Sequence, residues 1–155
     1  MDERSADRVS ALIANAVEKG ARLCAGDQRD GTLMKATGLD RVNLAMRIYA
    51  EESFGRVVTV VRANGDEEAL RIANDTEFGL SAAIFSRDIA RVWNLPKRVE
   101  SGIYHINGPT VHDEPQKPLG GVKASGYGRF SGKAIIDEFT AIRWITIQTA
   151  RHYLL

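Results

Sequence analysis

A chain of 155 residues that is 44% hydrophobic and 26% charged has the composition of a soluble globular protein, and it is long enough to bury a core without disulfide staples. Its charges nearly cancel, at a formal +1, so there is no basic field to hold a nucleic-acid backbone and no partner of that class is expected. The longest dense apolar run, residues 57–61, is too short to span a bilayer; the start, Met1-Asp2-Glu3-Arg4-Ser5, lacks the apolar centre of a secretory signal; and the single cysteine, Cys24, cannot close an internal disulfide, which makes a reducing cytoplasm the expected compartment.

The first predicted element is a helix. Val9, Leu12, Ile13, Ala16 and Val17 form one apolar stripe at helical spacing. Ser5 is placed to cap its start, and Gly20 stands where a C-terminal cap belongs. Residues 22–25 read as a short strand, Asp30-Gly31 as a turn, and 32–39 as a weak second strand. The β-branched run 57–62 reads as a strand buried on both faces. Asp66, Glu67 and Glu68 open a helix, where carboxylates suit the positive N-terminal end. Residues 81–85 form another strand, and Ser86 is predicted to cap a helix carrying Ile89, Val92 and Trp93. Pro96 must stop or kink that helix, because it lacks the amide hydrogen and clashes with the turn before it. A strand at 103–106 follows, then a long stretch rich in Gly and Pro from 107 to 132. A stretch of that length without regular structure is functional or disordered. A short helix near 133–139 and a last strand, 142–147, close the chain. Alternating strands and helices of this length predict an α/β fold, a mostly parallel sheet flanked by helices. The last strand, at the chain end, is free to project and pair with another subunit.

Several chemical readings fail on spacing. The run from Gly128 to Ala134 has three residues between its glycines and no Ser or Thr after Lys133, so it is not a phosphate-binding P-loop. His105, His112, Asp113 and Glu114 lack the paired spacing of a metal centre, and no metal ligand is assigned. Cys24 has no histidine nearby in sequence to make it a thiolate, and reads as a small apolar residue in a strand. No serine sits in a G-x-S-x-G elbow. Glu51-Glu52 and Glu67-Glu68 are adjacent, so their side chains diverge and make poor acid–base couples.

Three segments carry more. Glu51-Glu52-Ser53-Phe54-Gly55 before the strand at 57–61, Ile72-Ala73-Asn74-Asp75-Thr76-Glu77-Phe78-Gly79-Leu80-Ser81-Ala82, and Pro118-Leu119-Gly120-Gly121-Val122-Lys123-Ala124-Ser125-Gly126-Tyr127-Gly128-Arg129 stand in this order. They resemble the E-x-F-G-P, I-A-N-x-T-x-Y-G-L-x-A and P-F-G-G-x-K-x-S-G-x-G-R motifs of the NAD(P)-dependent aldehyde dehydrogenases, and residues 102–107 match the segment before the last motif. The stretch 106–121 is most similar to the branch acting on benzaldehyde, salicylaldehyde and vanillin.

That resemblance covers only about the last third of such an enzyme. It implies that residues 1–140 are part of the catalytic domain and 141–155 an oligomerisation strand and tail, making a homo-oligomer, most simply a dimer. The nucleophilic cysteine, the general-base glutamate and most of the dinucleotide-binding domain belong to segments expected before Met1. No residue here, Cys24 included, inherits a catalytic role. By match to the motifs, Glu52 would hold the nicotinamide-side ribose hydroxyls and Phe54 would pack beside the cofactor. A solvated carboxylate is the alternative for Glu52. Asn107 would anchor the loop at the substrate pocket, and Leu119 takes the place of an aromatic ring in that pocket. Lys123, Gly126 and Arg129 would fix the loop. Arg56 departs from the motif, which has proline there. The family's cofactor is NAD or NADP, and this chain alone is expected to bind neither tightly. The reading is thus a family portion that is inactive by itself and that a missing N-terminal part would complete. The alternatives are a stand-alone, non-catalytic assembly module and a weak hydrolase built on Cys24.

Overall fold

The computed structural model describes residues 2–149. They form two compact units, one ending at Thr76 and the other beginning at Glu77.

The first unit is organised by helix α1 (Glu3–Glu18). Its stripe is fully buried: Ala6, Val9, Leu12, Ile13 and Ala16 are each 0% exposed. Each of the three large side chains contributes roughly 1.5–3 kcal/mol by leaving water. The start is capped by Asp2 and not by Ser5: Asp2 Oδ1 accepts from the Ser5 amide at 2.8 Å. One carboxylate three residues upstream of that amide satisfies an orphan donor, and its negative charge suits the helix end. At the other end Gly20, at φ 97°, donates its amide to Val17 O at 3.0 Å, and Ala21 donates to Ala16 O at 2.8 Å. This doubly bonded terminus requires the left-handed conformation that glycine adopts without strain.

Strands β1 (Arg22–Ala25), β4 (Thr37–Asp40) and β5 (Val57–Val60) form a three-stranded sheet in the order β1-β4-β5. β1 is antiparallel to β4, and β4 is parallel to β5. Strands β2 (Arg29–Asp30) and β3 (Leu33–Met34) make a hairpin closed through Gly31, at φ 56°. The predicted single strand over 32–39 is therefore two strands with a bend between them. A one-turn helix, α2 (Arg47–Ala50), packs on α1, and helix α3 (Asp66–Asn74) begins at the predicted acids. The buried cluster joins the α1 stripe to Ala21, Met34, Leu39, Val42, Met46 and Ile48.

The run at 57–61 is covered on one face only. Val57, Thr59 and Val61 are half-buried, whereas Val58 is 64% exposed. A β-branched run with valines on both faces cannot say which face is covered, and here β5 is an edge strand with a single layer beneath it.

The second unit holds β6 (Phe78–Gly79), β7 (Ser81–Ile84), helix α4 (Ile89–Val92), β8 (Ile103–Ile106), β9 (Val122–Lys123) and helix α5 (Gly132–Phe139). β7 and β8 run parallel, and β6 pairs antiparallel with β9. Helix α4 is capped by Asp88, whose side chain accepts from the Arg91 amide at 3.0 Å, while Ser86 Oγ accepts from the Asp88 amide at 3.0 Å and donates to Asp88 O at 3.2 Å. It lasts one turn and passes into a 3₁₀ turn, Leu95–Lys97, around Pro96.

One expectation about the sheet is corrected. The chain is an α/β protein, but among the described residues its strands form four small sheets and not one mostly parallel sheet: two of the five strand pairs are parallel. Alternation of elements predicts parallel strands but does not say which strands find each other. Residues 141–149, predicted to hold a strand, form no ladder with the described residues. Ile142, Trp144, Ile145 and Ile147 are at least 73% exposed. A strand exists only through partner hydrogen bonds, and none is supplied here. The tail from 150 onward lies outside the described residues.

Candidate functional site

The loop from Glu51 to Gly55 leads from α2 into β5. Its backbone is clamped from α1, where the Arg8 guanidinium donates to Glu52 O at 2.7 Å and to Ser53 O. Gly55 lies flat on α1; a Cβ there would meet Val9 Cγ2 at 2.6 Å. Between these fixed points Phe54 takes φ 41°, a left-handed conformation that a bulky residue adopts only when its surroundings impose it. The result is a pinned turn with Phe54 77% exposed. The exposed Glu52 carboxylate has no hydrogen-bond partner among the described residues. Glu51 is different: it makes a two-pronged pair with Arg47, at 2.7 and 3.0 Å, which holds its carboxyl below the usual range. So Glu51 serves the local helix turn, and Glu52 is left open to solvent and to a ligand. A free carboxylate beside an exposed ring on a rigid turn fits a ribose diol and a flat base, since a carboxylate accepts from both hydroxyls.

In the second unit, Asn107 follows β8 at φ 57°. Its amide group pairs with one peptide in both directions: Oδ1 accepts from Ser86 N at 2.8 Å and Nδ2 donates to Ser86 O at 2.9 Å. Its own N–H bonds Ile84 O at 2.8 Å. Asn107 thus ties the loop after β8 to the loop after β7. The Gly- and Pro-rich stretch is ordered by similar ties. Leu119 and Phe130 exchange two backbone bonds, at 2.9 and 2.7 Å. Arg129 donates to the carbonyls of Gly121 and Gly128, at 3.1 and 2.6 Å. Lys123, at φ 54°, pairs with Glu100. Gly102 cannot carry a side chain, because a Cβ would overlap Gly120 O.

Under this loop lies a hollow of about 460 Å³ lined by Gly102, Ile103, Tyr104, His105, His112, Asp113, Glu114, Lys117, Pro118 and Leu119. Leu119 lies in the wall of this hollow, whereas Asn107 acts at the loop's root. Burial pushes the Tyr104 phenol up from its usual range. The His105 and His112 rings meet edge to face at 5.8 Å, and His112 Nε2 lies 3.4 Å from Glu114 Oε1. Among the described residues no three His, Cys, Asp or Glu are grouped to hold a metal ion. A larger hollow, about 610 Å³, lies beneath the β2–β3 hairpin and includes Arg29, Lys35 and Arg56, but none of the predicted site residues.

Cys24 is in β1 as expected but exposed, with its thiol 3.6 Å from Arg22 O. No histidine or carboxylate hydrogen-bonds it among the described residues. A hydrolase built on Cys24 has no support here. Arg8 is the site residue that sequence reasoning missed. It stands more than forty positions before the carbonyls it holds, inside a helix whose stripe pattern explains only its apolar neighbours.

The elements and pinned loops define a portion of an α/β domain. The profile of the aldehyde dehydrogenase family matches residues 1–145. The chain belongs to that family. It is 58% identical over 154 residues to a vanillin dehydrogenase of Pseudomonas fluorescens, covering 99% of this chain and 32% of that protein. The structure of a salicylaldehyde dehydrogenase from Pseudomonas putida G7, complexed with salicylaldehyde, superimposes with a TM-score of 0.90 at 47% identity, over 97% of this chain and 31% of that one. An aldehyde dehydrogenase of Mycobacterium tuberculosis complexed with NAD+ gives a TM-score of 0.83 at 32% identity, over 90% of this chain and 30% of that one. The chain thus spans about a third of the length of these relatives, and solved homologues hold NAD+ or NADP. No helix among the described residues is long and apolar enough to cross a membrane.

Proposed function

We propose that the chain is the C-terminal portion of an NAD(P)-dependent dehydrogenase that oxidises aromatic aldehydes to carboxylic acids, and that it supports this reaction without performing it alone. The observation that carries the reading is 58% identity to a vanillin dehydrogenase over nearly the whole chain. Residues 1–140 contribute to the catalytic domain and 141–155 to oligomerisation, in a dimer in the simplest case. NAD(P), when bound, supplies the hydride acceptor. Glu52 accepts from the ribose hydroxyls next to the nicotinamide, Phe54 flanks the cofactor, and Arg8 holds both in place through the backbone. Asn107 fixes the loop that carries the substrate side, and Leu119 lines that side.

These residues cannot retain the cofactor by themselves. Hydrogen bonds to the Glu52 carboxylate contribute at most about 1.5–3 kcal/mol each, against about 4–15 kcal/mol of lost freedom on association. Nor does Cys24, the single cysteine, have a base hydrogen-bonded to it among the described residues. The exposed Ile142, Trp144, Ile145 and Ile147 support the assembly role, because apolar edges of this kind associate.

The test is cofactor reduction by the purified chain with vanillin or salicylaldehyde and NAD or NADP. No turnover is expected. Turnover restored by adding the complementary part of the P. fluorescens relative, with the apparent KM for NAD raised roughly tenfold by Glu52→Gln (the loss of about one charged hydrogen bond), supports the reading. Turnover by the chain alone that survives repurification overturns it.

A further inference from the structure

Asparagine is among the thermolabile residues, and its fate depends on the residue that follows it. The main-chain nitrogen of that residue can close a five-membered ring on the asparagine Cγ, and glycine obstructs the closure least because it has no Cβ. Two asparagines of this chain precede glycine, as Asn64-Gly65 and Asn107-Gly108. The others precede Ala16, Leu44, Asp75 and Leu95, which all carry a Cβ. Asn64 and Asn107 are both exposed, so access to water does not separate them. Their side-chain contacts do.

Asn107 is held at both ends of its amide group. Its Oδ1 accepts from Ser86 N at 2.8 Å and its Nδ2 donates to Ser86 O at 2.9 Å. Both bonds must break before Cγ can swing towards Gly108 N. Gly108 is itself packed on His105, since a Cβ there would lie 3.5 Å from His105 Cβ. Asn64 has no such restraint. It lies in the bend before α3, where its main-chain N–H donates to Glu68 Oε2 at 2.6 Å, but its side chain makes no hydrogen bond among the described residues. Gly65 stands at φ 88°, with nothing within 4 Å of the place a Cβ would take. Its N–H donates to none of the described residues. The attacking nitrogen and the carbon it attacks are thus both unengaged, in a turn that glycine leaves free to rotate.

We propose that Asn64 is a site of spontaneous deamidation, and that the pairing with Ser86 spares Asn107 from the same reaction. Gly65 N gives its proton to hydroxide and bonds to Asn64 Cγ. The Cγ–Nδ2 bond breaks, and the nitrogen leaves as ammonia with a proton from water. Water then opens the ring. Opening at Cγ gives aspartate; opening at the Asn64 main-chain carbonyl gives isoaspartate, with the chain running through Cγ. The net change consumes water and releases ammonia, and nothing is oxidised or reduced. Either product sets a new carboxylate beside Asp66, Glu67 and Glu68 in the first turn of α3. Isoaspartate also lengthens the main chain at the root of the helix that leads into the 72–82 motif.

The experiment is ageing of the intact chain in warm, mildly alkaline buffer, followed by tryptic mapping and mass spectrometry. Peptide 63–71 carries Asn64. Its mass gain is that of an amide NH2 replaced by OH, and electron-based fragmentation tells aspartate from isoaspartate. The expected result is conversion at Asn64 at least roughly tenfold faster than at Asn107, a barrier difference of about 1.4 kcal/mol, with a rate that rises with hydroxide. In the urea-denatured chain the two sites should convert at similar rates, because the Ser86 pairing is gone. Asn64→Gln, whose longer side chain would need a six-membered ring, should leave peptide 63–71 unmodified. Asn64 still intact in the native chain after the denatured chain has converted overturns the site. Equal native rates at the two asparagines overturn the protection of Asn107 by Ser86.

Discussion

Asp40 shows how one side chain can link a sheet to a change in pH. It is buried at the end of β4, 7% exposed, and the Arg62 guanidinium bonds both its oxygens, at 3.0 and 2.6 Å. The hydrogen bond from Arg62 holds its carboxyl below the usual range. The folded chain therefore resists protonation more than the unfolded chain does. That contribution to stability is present above the ordinary carboxylate pKa, about 3.9, and is lost as pH falls through it towards the lower folded value. Resistance of the native chain to urea should fall as pH drops from about 5 to about 3. Asp40→Asn should start less stable at pH 6 and show a shallower acid loss, because its amide has no proton to gain. Equal slopes for the two proteins would mean that this pair does not govern the acid limb. Phe54 is the other residue to watch. Its positive φ is held by a clamp on one side and a steric floor on the other, the form in which proteins keep strain at a working loop.

At the scale of elements, α1 organises the first unit. Leu12 is among its largest fully buried side chains, and Leu12→Ala should lower the unfolding free energy by about 2–5 kcal/mol, through lost transfer energy and the cavity left behind. Val111, 92% exposed in the 107–132 loop, provides the contrast: Val111→Ala should stay within about 0.5 kcal/mol. Urea midpoints of the two variants check both values. A Leu12→Ala loss below 1 kcal/mol would mean that the stripe is not the core. The same helix has a second role. Arg8 lies on the α1 turn beside Val9, so the element that builds the core also sets the Glu52–Phe54 turn.

At the scale of the whole molecule the two units differ in what they bury. The cluster of buried apolar residues lies wholly in the first unit, whereas Val92 is the one buried hydrophobic side chain among the described residues of the second. Phe85, Trp93, Phe139 and Trp144 are all more than 60% exposed. A unit with so little apolar area removed from water opens at low free energy. Amide exchange should therefore be fastest in the unit beginning at Glu77 and slowest at β4 and α1. Binding of the complementary part of the enzyme should slow exchange at β7 and β8. Protection at β7 and β8 in the isolated chain equal to that at β4 would show that the second unit is held by something other than apolar burial.

Whatever depends on near neighbours along the chain can be read from the residues without the fold. The α1 stripe, the acids that open α3, the stop at Pro96 and the strands at 81–84 and 103–106 all follow from spacing and local stereochemistry. The motif residues were legible because each motif is contiguous, so Glu52, Phe54, Asn107 and Leu119 could be named before any contact was known. What depends on residues meeting from afar was settled by folding. It chose Asp2 over Ser5 and Asp88 over Ser86 as caps, since either neighbour satisfies the local rule. It divided the strands into four small sheets and left one face of β5 uncovered, because pairing and coverage are set by partners dozens of residues away. It placed Arg8 under the Glu52 turn and buried His105 Nε2 without a partner. A helix pattern carries no information about the loop that its polar face will hold, and a lone histidine carries none about the residues that will bury it.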